Sequence, residues 1–411
     1  MQPFSDIRIL DLTHVIAGPF CTYQLAVMGA DVIKVEPPGR PDMSRASGAG
    51  ATIAAGLASD FTAHNANKRS VCIDLKSAAG ARILRRLLAT ADVLVENYRS
   101  GALAELGFDY AAVKKLRPDI IYCSLTGFGQ HGPLAGRTAY DNVIQAYSGL
   151  MAATGDAGTS PLKVGPPVLD YGSGIQAAFA IAAALYRRTA TGRGQRIDVA
   201  MLDAAVMMMS SHVMYLQAAG RLPPVTGNDH ASNAGYCCYP TADGQLMLGA
   251  YTGRQARDMW TVLGDPGRGR AVEKLTPAAM AERFQRDRRR IAGLLIARPA
   301  DHWEAEFNRH RVPAARVRAL DRALADRRLQ SRAVLQRVPG AGADDAAAPA
   351  FPVAAFQYAE PGSGPALNRP PPALAEHTGE VLREIGYGDR ELRQLHDQGA
   401  IKLAPGTEEA A

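Results

Sequence analysis

Asp170 stands in Pro166-Pro167-Val168-Leu169-Asp170-Tyr171-Gly172-Ser173-Gly174, directly ahead of the Ala-rich run from Ile175 to Tyr186. Such a segment reads as a buried strand handing over to a helix, which sets the carboxylate near the positive end of the helix dipole. Gly172 and Gly174 would let a substrate approach the backbone, where N–H groups around 172–174 are candidates to steady a developing oxyanion. A carboxylate so placed is suited to act as a nucleophile, though local sequence by itself favours an N-cap that only satisfies the first amides of the helix. The same glycines and Ala177 spell G-x-G-x-x-A, and Asp198 ends the next apolar stretch roughly 20 residues on, as in a dinucleotide site. Asp170-Tyr171 breaks the apolar lead-in such a site uses, so structural glycines are the competing account.

The elements that must position Asp170 alternate between strand and helix patterns. Ile7 to Leu12 reads as a strand, Gly18-Pro19 opens a helix that ends at Met28-Gly29-Ala30, and Asp31 to Glu36 is the next strand. Ser70 to Leu75, Val93 to Val95 and Ile120 to Leu125 are further strands, with a helix over Ala78 to Thr90. Apolar strands separated by helices predict an α/β fold with a parallel sheet covered on both faces, whose ligands gather at the carboxyl ends of the strands. Pro37 to Ala58 reads as a mobile loop over the sheet edge. The chain divides into a large domain over 1–200, a Met-rich helical linker over 201–224 stopped by Pro223-Pro224, a smaller α+β domain over 225–325, and a returning segment over 326–411. That last segment carries the low-complexity linker Gly340 to Pro349 and polar helices over Leu374 to Gln398.

Composition limits the function classes. With 411 residues and 47% hydrophobic content the chain has apolar surface for more than one core. Its five cysteines, Cys21, Cys72, Cys123, Cys237 and Cys238, contain no C-x-x-C pair, so reduced structural thiols are expected rather than a metal site. No stretch reads as long and apolar enough to cross a bilayer, and the N-terminus lacks a signal-peptide order, so a cytoplasmic protein without membrane partners is expected. The net charge of +6 suits anionic ligands. The Arg-rich stretch from Arg283 to Arg290 carries an acid and no aromatic run, so a solvated helix face is expected there and not a nucleic-acid site.

Seven ordered segments carry a stronger signal. Ile9 to Pro19 (Ile-Leu-Asp-Leu-Thr-His-Val-Ile-Ala-Gly-Pro), Gly29 to Gly39, Asn65 to Lys76, Ala91 to Gly101 (with Glu96-Asn97-Tyr98-Arg99), Ser124 to Gly129, Thr191 to Gln195 and His377 to Leu382 together resemble the class III CoA-transferases, the CaiB/BaiF family, across nearly the whole chain. The resemblance implies a Rossmann-like large domain built from both chain ends, a small middle domain, and two chains interlocked as a homodimer. It places the family's nucleophilic aspartate on Asp170. The implied reaction moves CoA from an acyl-CoA thioester to a carboxylic acid through an aspartyl mixed anhydride and an aspartyl-CoA thioester. CoA is then a substrate, with no tightly bound cofactor.

The family's CoA contacts fall on Ala17, Lys68, Asn97, Tyr98, Arg99 and Tyr140, where Lys68 and Arg99 offer charge to phosphates. A helix N-terminus is expected to keep Asp170 ionised. Pro37 and Glu105 stand where one formyl-CoA transferase branch has arginines, so the grip on the nucleotide differs in detail. The racemase branch uses a histidine where this chain has Tyr140, and a phenol is a poor proton shuttle at neutral pH, which disfavours racemisation. Gly227 to Gly235 lacks the glycine run of the formyl-CoA branch, implying a different acceptor acid, with His230 a candidate contact to its carboxylate across the dimer or else a solvated loop residue. Three alternatives stand beside a CoA-transferase: a 2-methylacyl-CoA racemase, a nicotinamide-dependent oxidoreductase read from the glycine pattern, and a CoA-binding protein in which Asp170 is only a cap.

Overall fold

Six strands of the chain's first half alternate with helices. They are β1 (Arg8–Leu12), α1 (Ala17–Val27), β2 (Asp31–Glu36), a short α2 (Ser59–Thr62), β3 (Lys68–Ile73), α3 (Ala78–Thr90) and β4 (Val93–Glu96), then α4 (Ala102–Glu105), α5 (Tyr110–Leu116), β5 (Ile121–Thr126), α6 (Asp141–Ser148), α7 (Val168–Thr191), β6 (Gln195–Ala200) and α8 (Met201–Met208). The computed structural model describes residues 1–50, 56–339 and 349–404. Most of the expected linker at 340–349 and part of the loop expected to be mobile, 51–55, lie outside the described residues.

The strands form one sheet in the doubly wound order 3-2-1-4-5-6, all parallel, with Ile9 opposite both Val32 and Val93. A strand from the other end of the chain, Ile401–Lys402, adds antiparallel to the β3 edge. Strand side chains alternate between faces, and both faces are buried. Leu10, Leu12, Ile33, Leu94 and Tyr122 share a core with Leu84 and Leu88 of α3 and with Val381, Leu392 and Leu395 of two C-terminal helices, Thr378–Glu384 and Asp389–Asp397. Ile9, Val32, Val93, Ile121 and Cys123 pack on the other face with Cys21 of α1, Ile181 of α7 and Ala205 of α8.

The chain groups into two compact units, residues 1–150, 164–213 and 332 onward in one, and 151–163 with 214–331 in the other. Residues 151–163 therefore group with the smaller unit although they precede Asp170 in sequence. That unit holds a three-stranded antiparallel sheet of β7 (Cys238–Pro240), β8 (Gln245–Leu248) and β9 (Ala314–Arg316), backed by Trp260, Ile291 and Phe307. Its Arg-rich helix, Pro277–Leu295, is laced by ion pairs: Arg283 and Arg268 to Asp287, Arg288 to Asp229, Arg290 to Asp265.

Three local expectations are corrected. No strand precedes Asp170, because Pro166 and Pro167 cannot pair in a ladder and the helix begins at Val168. That helix, 24 residues long, is long and apolar enough to cross a bilayer, contrary to the reading that no stretch is. Here one side of it, through Leu169, Ala177, Ile181 and Leu185, is core. The loop after β2 is anchored from Asp42 to Arg45: the Arg45 guanidinium grips Glu36 at 2.8 and 2.6 Å, and Asp42 accepts a bond from Lys34 at 3.0 Å.

Candidate active site

Helix α1 leaves the carboxyl end of β1 and α7 leads into the amino end of β6, so both run antiparallel to the strands and both N-termini lie at the carboxyl edge of the sheet. The two helices pack closely at Gly174, against the Ala17 backbone and the Phe20 ring. A Cβ at Gly174 would sit 2.7 Å from the Ala17 carbonyl oxygen, and one at Gly172 would strike the Met208 sulfur at 2.6 Å. Gly172 and Gly174 are thus helix-packing residues. Their amides lie within α7, where N–H groups bond carbonyls four residues back, so they neither cradle a dinucleotide phosphate nor face an oxyanion. This removes the structural basis of the nicotinamide reading.

Asp170 occupies the third position of α7, and it is not the cap. The amides that a cap would satisfy are taken by Asp141, the first residue of α6: its Oδ2 accepts from Leu169 N at 2.7 Å and from Asp170 N at 3.2 Å. Asp141 is held in turn by Gln145 Nε2 at 2.5 Å, and Gln145 Oε1 accepts from Val164 N at 2.9 Å. The Asp170 carboxylate has no hydrogen-bond partner among the described residues. Burial and then the neighbouring Asp141 charge push its pKa up to about 7. The expected ionising effect of the helix N-terminus is outweighed, first by burial and then by the Asp141 charge at that end. Next to it, Tyr171 donates to His64 Nε2 at 3.1 Å, and the His64 Nδ1 side meets the Asp60 carbonyl at 3.1 Å. Phe20 closes on both rings edge-on, at 4.9 and 5.9 Å.

The expected CoA contacts separate into inner and outer residues. Lys68 is fully buried: its ammonium donates to Asp11 Oδ2 at 2.8 Å, Pro19 O at 2.9 Å and Asn65 Oδ1 at 2.9 Å. All three donors are used, so Lys68 is a core ion-pair member and not a phosphate ligand. Burial lowers its pKa to about 8, which leaves it charged at neutral pH. Asn97 spends its amide on His14, accepting from its N–H and donating to its C=O, both at 2.8 Å. Tyr98 lies against the His14 ring edge-on at 5.1 Å. Arg99 is exposed but already bound to Glu105 at 2.6 Å, the residue that replaces an arginine of the formyl-CoA branch. Ala17 is buried at the start of α1, and Tyr140 is 65% exposed immediately before α6.

Sequence reasoning missed three groups on this edge. Asp141 was passed over beside Tyr140, because its partners are the amides of a helix 28 residues away. Arg40 and Lys76 are exposed cations that follow β2 and β3, and among the described residues neither has an ion-pair partner. Their position directly after apolar strand runs was the signal available for them.

On the smaller unit, His230 is no solvated loop residue. Its Nδ1 accepts from Ser232 N and Asn233 N, both at 3.1 Å, and its ring meets Tyr236 and Tyr251 edge-on.

Comparison with known proteins places this geometry. The description CoA-transferase family III matches residues 4–378. The chain is 35% identical over 397 residues to a succinate–glutarate CoA-transferase of Agrobacterium fabrum, covering 93% of this chain and 96% of the relative. It is 33% identical over 408 residues to a mouse succinyl-CoA:glutarate CoA-transferase, covering 98% and 89%. Among solved structures, a CaiB/BaiF family protein from Brucella suis superimposes with a TM-score of 0.80 at 30% identity, covering 93% of this chain and 99% of that one.

Proposed function

Since this chain belongs to CoA-transferase family III and is an enzyme of the CoA-transferase type, we propose that Asp170 is its covalent nucleophile and that its substrates are short dicarboxylates and their CoA thioesters. The observation that carries the first part is the Asp170 carboxylate itself, at the carboxyl edge of the sheet with no hydrogen-bond partner among the described residues, while Asp141 does the capping. The second part is supported by the succinate and glutarate named for two relatives.

In this reading the ionised Asp170 oxygen attacks the thioester carbonyl, and the C–S bond breaks to give a mixed anhydride and CoA thiolate. The thiolate attacks the aspartyl carbonyl and expels the donor carboxylate, which leaves aspartyl-CoA. The acceptor carboxylate attacks that thioester and the thiolate leaves again. Attack of the thiolate on the acceptor's acyl carbon then forms the new acyl-CoA and restores Asp170. No proton must move between carbon and a base, which suits an edge where Tyr140 and not a histidine precedes α6. A pKa near 7 makes Asp170 more basic than an ordinary carboxylate, hence a better nucleophile once ionised.

CoA lies along the carboxyl edge, its phosphates served by Arg40, Lys76 and, on leaving Glu105, Arg99, with Tyr98, Tyr140 and the Ala17 end of α1 lining its path. The large unit is Rossmann-like and works in the cytoplasm as an interlocked homodimer. Support for pairing comes from exposed apolar side chains on α6, α7 and α8: Tyr147, Ile175, Phe179, Tyr186 and Met207. Incubation with succinyl-CoA, glutarate and hydroxylamine tests the chemistry, because the enzyme then accumulates an aspartyl hydroxamate at residue 170. Transfer by Asp170→Asn at the wild-type rate refutes it. A monomer in sedimentation refutes the dimer.

A further inference from the structure

The turn between β1 and α1 is held in a shape its sequence disfavours. Val15 has φ of 70°, the left-handed region, where a β-branched side chain crowds its own backbone. Such strain persists only where the surroundings over-determine it. Here they do. Asp11 accepts from Thr13 N at 2.9 Å, and Lys34 Nζ donates to Thr13 O at 2.8 Å. Asn97 takes both backbone groups of His14, and Asp42 Oδ1 accepts from Val15 N at 3.1 Å. Asp42 and Lys34 are at most 1% exposed and bind each other at 3.0 Å, so a buried ion pair spans the turn from Thr13 to Val15.

Two residues beyond Val15, Ala17 begins α1 against Gly174, which lies one helical turn from Asp170 on the same side of α7. The shape of the turn therefore sets where α1 begins relative to Asp170. A packed fold needs no β-branched residue in the left-handed region, and three side chains from β2, the loop after it and the end of β4 converge to keep one there.

We propose that Asp42 is a positioning residue for CoA transfer: with Lys34 and Asn97 it clamps the strained His14-Val15 turn and so fixes the start of α1 beside the nucleophile helix. This rests on Asp170 being the nucleophile, and it adds a reason for the buried ion pair that stability alone does not provide, since such pairs are often no better than apolar packing.

The test is steady-state kinetics with succinyl-CoA and glutarate on Asp42→Asn, Asn97→Ala, each of these combined with Val15→Gly, and Asp170→Asn. A displaced reacting geometry of about 1 Å costs up to ~100-fold, so each clamp variant loses about tenfold or more in kcat with KM for the thioester within about threefold. Glycine enters the left-handed region without a clamp, so Val15→Gly restores most of the lost kcat in both backgrounds. Asn97→Ala removes only neutral bonds from a half-buried site and keeps the test open if Asp42→Asn does not fold. A folded clamp variant with wild-type kcat, a rise in KM alone, or no rescue by glycine overturns the inference while Asp170→Asn remains inactive. An active Asp170→Asn overturns instead the reading beneath it.

Discussion

Replacing Asp170 by asparagine should abolish transfer and, at alkaline pH, make the fold more stable. The carboxyl's pKa rises from the ordinary 3.8 to about 7, with burial the larger cause and the Asp141 charge the second. Below about pH 4 the group is protonated in both folded and unfolded chains and costs nothing. Between about pH 4 and 7 the unfolded chain has released the proton and the folded one keeps it, so stability falls as pH rises. Above pH 7 the folded protein holds a buried charge, at a cost of about 4 kcal/mol from 1.36 kcal/mol per pKa unit. Asparagine has the same shape and no charge to bury. Urea unfolding of both proteins at about pH 4.5 and about pH 8.5 should show the stability gap growing in favour of Asp170→Asn by roughly 3 kcal/mol. A gap that is constant with pH would show that Asp170 ionises as easily inside the fold as outside. An asparagine variant less stable at high pH would mean that the carboxylate has a stabilising partner. Either result refutes the electrostatic account of this site.

Removing the Asp141 charge with Asp141→Asn lowers the Asp170 pKa, so the acidic limb of the kcat/KM profile, with its midpoint near 7 in the wild type, moves to lower pH; an unmoved limb would assign the whole rise to burial. Lys68→Met leaves Asp11 buried without its ion-pair partner and should cost about 3–5 kcal/mol in urea unfolding, whereas a mere rise in KM for acyl-CoA with unchanged stability would restore Lys68 as a phosphate ligand. Gly174→Ala puts a methyl 2.7 Å from the Ala17 carbonyl, so α7 must shift against α1, with about 1–3 kcal/mol lost in thermal unfolding and a lower kcat; wild-type values in both would show that the two helices do not bear on each other.

Periodicity and punctuation were enough to place β1, α1, β2, α3, β4 and β5 within a residue or two, because a parallel strand buried on both faces is an unbroken apolar run and its helices begin and end at local signals. The ordered segments carried the family, and with it Asp170. The sequence failed where a residue's role depends on what lies far along the chain. Lys68, Asn97 and Arg99 were all expected to contact CoA, yet one is sealed in the core by residues 3 and 57 positions away, one is spent on a backbone 83 positions away, and one is paired with its neighbour on α4.

The order of strands and helices, the doubly wound character of the sheet and the presence of a carboxylate at the start of α7 follow from local pattern, which sequence determines by itself. That Asp170 is spared the capping, that its proton is held to about pH 7, and that Gly172 and Gly174 serve packing and not a ligand were decided only by tertiary structure. Burial and through-space charge set those properties. Both depend on what the fold brings within a few ångströms, which no window of sequence around Asp170 contains.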